Sequence, residues 1–189
     1  MSEKKSHLSY YLVFQNIPLT AAPSISILGL NISSYCQYSE HLESKAKLAS
    51  KKLGVINRAR RYFTSKYRLA IYTAQVRPHT EYCSHIWTSA PQYQLEPFDR
   101  IQRRAIRIIG DPKICERLDT LALRRDVSSL CVLYRIYHGK CSEELFDLLP
   151  AAEFSNHTVR HKLKYHPHHL DTWQSTTVRL RRNFLPRTT

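Results

Sequence analysis

Glycine is scarce in this sequence, four residues in 189. That leans the chain toward helix, and no Gly-rich loop is present to cradle a phosphate. Long apolar runs are missing too. No stretch approaches the ~18 uninterrupted apolar residues of a membrane span, and the opening Met1-Ser2-Glu3-Lys4-Lys5 lacks the apolar core of a signal peptide. The expectation is a soluble, intracellular protein, nuclear or cytoplasmic, with no membrane partner. The cysteines number five, an odd count without a CxxC pair, so free and mostly buried thiols are expected. Hydrolytic signatures are absent: there is no GxSxG, no HExxH and no adjacent Asp-Asp pair. The six aspartates, Asp99, Asp111, Asp119, Asp126, Asp147 and Asp171, stand singly at expected helix starts or turns, where capping accounts for them. A two-metal centre needs carboxylates that converge.

Positive charge is what the chain has in excess. Its 29 Lys and Arg against 15 Asp and Glu give a formal net charge of +14, which suits a polyanion. Charge alone does not separate DNA, RNA and anionic membrane. Charged residues concentrate between about residue 41 and residue 140, so function is sought there. The length suffices for one substantial core and a small second unit, and the sequence carries no internal repeat.

The first forty residues are patterned for strands. Residues 10–14 and 25–32 are short aromatic or β-branched runs separated by Asn16, Pro18 and Pro23, which predicts two strands with a turn-rich connection. Two strands alone are marginal, so this segment needs the helices after it or a further neighbour. From His41 the period changes to that of a helix. Leu42, Ala46, Ala49, Leu53 and Ile56 share one face up to about Arg61, and Lys47, Lys51 and Arg58 occupy the opposite face. Thr64 or Ser65 caps a second helix, whose face is Leu69, Tyr72, Val76, Thr80, Cys83 and Trp87. Pro78 interrupts it and forces a kink or a break.

Residues 95–109 show the cleanest pattern. At ~100° per residue, Leu95, Phe98, Ile101, Ala105, Ile108 and Ile109 fall in one arc and Arg100, Arg103, Arg104 and Arg107 in the opposite one. Gly110 followed by Asp111-Pro112 predicts the stop. Residues 116–123 and 126–138 read as two more helices, the second ended by Gly139, and Ser142 starts a short one before Pro150. The tail from Ala151 is irregular, with a candidate strand at 178–180. The expected fold is therefore mainly α, an amphipathic helical bundle after a short β segment. Its parts are 1–40, 41–150 and a basic, His-rich tail over 151–189.

Two kinds of site compete. In "VRPHTEYCSHIW" two histidines flank a cysteine, but on one helix His79 and Cys83 share a face while His85 lies ~160° away from Cys83. Two ligands fall short of the four that structural zinc requires, and Cys83 lies on the packing stripe with Trp87, so core packing is the preferred reading. His138 with Cys141, and the tail histidines His157, His161, His166, His168 and His169, match no zinc-knuckle spacing. No metal site and no catalytic residue is assigned. On the basic faces, by contrast, the signs are not mixed as on an ordinary solvated face. Arg100, Arg103, Arg104 and Arg107 have only Glu96 and Asp99 nearby. Contact of Lys47, Lys51, Arg58 and these four arginines with a phosphate backbone is preferred over plain solvation.

The order of pieces is also familiar. "SISILGLNIS", "HLESKAKLASKKLGVINRARRYFT", "LAIYTAQVRPHTEYCSHIW", "LEPFDRIQRRAIRIIGDP", "LALRRDVSSLCVLYRIYHGKCSEELFDLLP" and "RNFLPRT" together closely resemble the C-terminal portion of jockey-like non-LTR retrotransposon reverse transcriptases, the RNA-directed DNA polymerases of insect transposable elements. The resemblance runs from about residue 24 to the last residue. It implies that the segment over Ile25 and Ile32 is the strand closing the polymerase palm and that the helices after it are the thumb and the region downstream. These hold template and primer, so the implied partners are an RNA or DNA template-primer and the fingers and palm of the polymerase. The family's catalytic aspartates precede the "LGL" block, and no aspartate precedes it here. No cofactor is expected in this chain, Mg²⁺ belonging with the absent palm, and the chain reads as clipped at both ends. Three functions follow as expectations: a non-catalytic fragment that contacts template-primer, an inert remnant of a decayed element, or part of an active polymerase if joined to an upstream palm.

Overall fold

The computed structural model describes residues 12–20, 22–149 and Phe184. The tail histidines and the candidate strand at 178–180 lie outside the described residues. The fold is mainly helical with a short β segment before the helices, and it divides into two units, 1–41 and 42–189.

The first unit holds two antiparallel hairpins. Strand β1 (Leu12–Phe14) pairs with β2 (Ile17–Leu19), and β3 (Ser24–Ile27) pairs with β4 (Leu30–Ser33). Both turns use two residues of positive φ, Gln15 and Asn16 in the first, Leu28 and Gly29 in the second. That geometry matches the right-handed twist of the flanking strands. The strand expected over 25–32 is thereby corrected to a hairpin. Leu28 is not a turn former and Gly29 alone marked the fold-back, so an unbroken β-branched pattern concealed it. Strand β2 was not anticipated either, since Asn16 and Pro18 read as connection. Where β4 meets the helical start, the Asn31 N–H donates to His41 Nδ1 at 3.3 Å.

In the second unit the helical periods carry through to burial. Helix α1 (Ser39–Arg58) buries Leu42, Ala46, Ala49, Leu53 and Ile56. It stops at Arg58, and a 3₁₀ turn over Arg60–Tyr62 follows. Helix α2 (Ser65–Ile71) continues through a π-helical turn (Tyr72–Val76) into α3 (Arg77–Glu81). The Arg77 N–H reaches back five residues to the Tyr72 carbonyl, a wide turn placed just ahead of Pro78. Pro78 then sits in the first turn of α3, where its missing N–H costs little. The true break falls at Cys83, whose φ is 51°.

The chain restarts as α4 (Ser84–Trp87), and the helical phase shifts at the break. Ser84 is buried in place of Cys83, which is only half-buried, so the assignment of Cys83 to the core is corrected. The Trp87 indole N–H donates to the Tyr82 carbonyl at 2.9 Å across this break.

Helix α5 (Gln92–Ile109) begins three residues earlier than the apolar pattern announced and buries its whole predicted face together with Gln102. Gly110 ends it in the left-handed conformation, φ 71°, its N–H bonded to the Ile106 carbonyl, an αL cap that favours glycine. The next helices fall elsewhere than expected. Helix α6 (Pro112–Cys115) is capped by Asp111, whose Oδ1 accepts from the Ile114 N–H at 3.3 Å. Helix α7 (Leu121–Tyr137) then runs without interruption where two helices had been expected. Its start is set by Thr120, whose Oγ1 accepts from the Leu123 N–H, and by Gln102 on α5, whose Oε1 accepts from the Leu121 N–H. Gly139, φ 62°, follows it, and α8 (Glu143–Phe146) is the last described helix in this run.

The core joins α2 to α5 and α6, and α3, α4 and α5 to α7. Trp87 stacks on Phe98 with ring centroids 5.6 Å apart. Among the described residues no helix is long and apolar enough to cross a membrane.

Candidate nucleic-acid interface

Helix α5 delivers four guanidinium groups to one exposed face. Arg100, Arg103, Arg104 and Arg107 are all exposed, and their three- and four-residue spacings form a diamond on the helix surface. Seven residues of rise, about 10 Å, span roughly three phosphates of one strand. The two acidic neighbours have separate fates. Glu96 accepts from Arg100 at 3.2 Å and lies 3.6 Å from Arg103. Asp99 instead turns toward α7, its Oδ1 3.8 Å from Nη1 of the buried Arg125. Arg104 and Arg107 have no ion pair among the described residues, so half of the diamond carries uncompensated charge.

Helix α1 carries the second set. Lys47, Lys51 and Arg58 are exposed, within a ~40° arc opposite the buried face. Lys47 is engaged by Glu43 at 2.6 Å, both side chains well exposed. The Glu43 carboxyl is held below its usual range by the Lys47 hydrogen bond and charge. Such an exposed pair contributes little to stability and opens readily to a competing phosphate. Lys51 and Arg58 have no side-chain partner among the described residues. Each helix brings its own set together, and no described ion pair or hydrogen bond links the α1 set to the α5 set.

The sequence reading missed Arg60 and Arg61, which with Asn57 and Arg58 line an open concavity beyond the end of α1. The signal for them was available: between Glu43 and Glu81 the chain has ten Lys and Arg and no acidic residue. Other cations in that span are committed to the fold. Arg68 donates from Nη1 to the Ile108 carbonyl at 2.6 Å and from Nη2 to Ser65 Oγ at 3.0 Å, helping to close the end of α5. Lys52 donates to Gln75 Oε1, and Lys45 lies 5.6 Å from the Tyr82 ring centroid.

Near the cluster of residues 79–85 stand two lysine charges, Lys45 and Lys52. Burial, and then the charges of Lys52 and Lys45, lower the His79 pKa. Burial lowers that of His85, whose ring packs edge-on against Phe184. Among the described residues no three His, Cys, Asp or Glu side chains converge as a metal site. His138 packs against the Tyr134 and Tyr137 rings. The expectation of mostly buried thiols is corrected: Cys36, Cys131 and Cys141 are exposed, Cys83 is half-buried and Cys115 is buried.

No family model, no curated protein and no solved structure matches this chain.

Proposed function

We propose that this chain is a non-catalytic C-terminal portion of a jockey-like non-LTR retrotransposon reverse transcriptase and contacts template-primer nucleic acid through its basic helix faces. The observation that carries the proposal is the arginine diamond on α5, exposed, presented by a rigid helix and compensated by Glu96 on one side only. Guanidinium groups match phosphate oxygens at two points, and contact of this kind is independent of base sequence. The ordered sequence blocks supply the polymerase context. In that context the fingers and palm are the protein partners, and Mg²⁺ is bound by the palm.

The test is binding of the full chain to a primer-template duplex, followed by fluorescence anisotropy across a salt series. Replacing Arg100, Arg103, Arg104 and Arg107 by Gln is expected to weaken binding and to flatten the slope of log K against log salt by roughly 3 to 4. Unchanged affinity and slope would overturn the proposal. Primer extension by the chain alone is expected to yield no product.

One observation favours membership of a larger assembly over an inert remnant. Leu123, Val127, Leu130 and Tyr134 recur at four- and three-residue intervals along α7 and are exposed, a stripe suited to a neighbouring apolar element. Restored extension on adding a palm and fingers segment in trans would support the assembly, and aggregation or non-cooperative unfolding of the chain would favour the remnant.

A further inference from the structure

The turn that follows α1 presents arginine around a hollow rather than along a stripe. Asn57, Arg58, Arg60 and Arg61 line an open concavity of about 460 Å³. Helix α1 ends at Arg58, Ala59 departs from helical geometry at φ −86° and ψ 2°, and Arg60–Tyr62 turns as a 3₁₀ helix. The tighter three-residue repeat fans successive side chains about the helix end. The turn is pinned by the Tyr62 N–H on the Ala59 carbonyl at 3.0 Å. Three aromatic residues lie in or close after it in the chain, with Phe63 the least exposed of them. Tyr62 is 81% exposed, and Tyr67, in the first turn of α2, is 63% exposed.

The charge here exceeds what the helix end requires. One cation in the last turn complements the partial negative charge of the final carbonyls, and Arg58 fills that role. Arg60, Arg61 and Lys66 add to it, and no acidic residue lies between Glu43 and Glu81. Among the described residues none of these four cations has an ion pair or a side-chain hydrogen bond. Neighbouring Arg68 does, to Ile108 and Ser65. Guanidinium groups crowded around one hollow repel each other unless an anion enters it.

We infer that this turn is a subsite for single-stranded nucleic acid: a phosphodiester enters the hollow lined by Asn57, Arg58, Arg60 and Arg61, and a flanking unpaired base stacks on Tyr62 or Tyr67. The inference rests on the reading that the chain contacts nucleic acid, and it adds which form this turn selects. A duplex offers phosphates but keeps its base faces stacked inside, whereas an unpaired strand offers both, and stacking on an open aromatic ring tolerates any base.

The test compares three probes with the full chain: a primer-template with a single-stranded template overhang, the same duplex blunt-ended, and the overhang probe made abasic in its unpaired part. The overhang probe is expected to bind about tenfold more tightly than the abasic one, which keeps its phosphodiesters, and more tightly still than the blunt duplex. Arg60→Gln with Arg61→Gln should weaken overhang binding and reduce its salt slope by roughly 1.4, a larger loss than the same variant shows on the blunt duplex. Tyr62→Ala with Tyr67→Ala should erase the difference between the normal and abasic overhangs, and the Phe replacements should keep it. Equal binding of blunt and overhang probes, or tyrosine variants without effect, would overturn the subsite alone as long as the α5 arginine variant still weakens duplex binding. Failure of the wild-type chain to bind any of the probes would overturn the nucleic-acid reading itself.

Discussion

Arg124 on α7 holds Glu81 on α3 at two points, Nε to Oε1 at 2.6 Å and Nη2 to Oε2 at 2.9 Å, across 43 residues of sequence. Arg77 donates from its own Nε to the same Oε1 at 2.6 Å. All three side chains are partly buried, so one carboxylate bridges two guanidinium groups at the junction of α3 and α7, with Asp119 Oδ2 a more distant partner of Arg124 at 3.7 Å. Glu81→Gln preserves the shape and removes the charge shared by both arginines, leaving Arg124 only the longer contact to Asp119. It is expected to destabilise the fold by about 1–3 kcal/mol, read as a lower denaturant midpoint with an unchanged slope. A midpoint equal to wild type would show that solvent already screens the pair.

The arginine diamond on α5 is electrostatically uneven, and binding should reflect that. Glu96 already occupies Arg100 and Arg103, so Arg104→Gln with Arg107→Gln should flatten the salt slope by roughly 2. Arg100→Gln with Arg103→Gln should flatten it less. Glu96→Gln should tighten binding to duplex several-fold, by freeing two cations. Anisotropy titrations of the three variants at matched salt decide the order, and equal effects of the two double variants would contradict it.

Tyr72 is fully buried and its hydroxyl has no hydrogen-bond partner among the described residues. Burial pushes its pKa up to about 12, with Arg77 lowering it and Glu81 raising it. The folded value lies above the ordinary 10.0. Between those values the unfolded chain ionises while the folded chain keeps its proton. The corresponding stability is therefore present below pH 10 and lost as pH rises through 12. Tyr72→Phe should stabilise the protein by about 1 kcal/mol at neutral pH, because it removes an unpaired buried hydroxyl. It should also shrink the alkaline loss in that window. Unfolding midpoints of both proteins between pH 8 and pH 12 test this, and parallel alkaline loss in the two would refute it.

Gln102 joins α5 to the start of α7, its Nε2 donating to the Asp119 carbonyl at 2.7 Å and its Oε1 accepting from the Leu121 N–H at 3.1 Å. Gln102→Leu fits an apolar face but leaves both backbone groups unsatisfied. A loss of about 1–3 kcal/mol is expected, with faster amide hydrogen exchange in the first turn of α7 than in its last. Uniform exchange along α7 would remove Gln102 from this role.

Legibility in the sequence followed the range of the interaction. The faces of α1 and α5, and the stop at Gly110, could be read directly because periodicity and an αL cap involve residues a few positions apart. The arginine diamond could be read for the same reason. The concavity after α1 escaped because a 3₁₀ turn scrambles the helical spacing that the reading relied on, although the acid-free run between Glu43 and Glu81 marked the region.

What the sequence by itself determined is which surfaces are apolar, which are cationic and that the chain is mainly helical. All of these are sums over near neighbours. Only the tertiary structure decided that Leu28 and Gly29 fold a continuous β pattern into a hairpin and that α7 starts at Leu121. It alone decided that Cys83 marks a break in the helix and that Asp99 turns to Arg125, leaving Glu96 alone among the α5 arginines. At Asp99 the deciding partner lies far along the chain, and at α7 the distant Gln102 adds to the local Thr120 cap. At Leu28 and Cys83 a left-handed backbone is adopted by residues that rarely favour it.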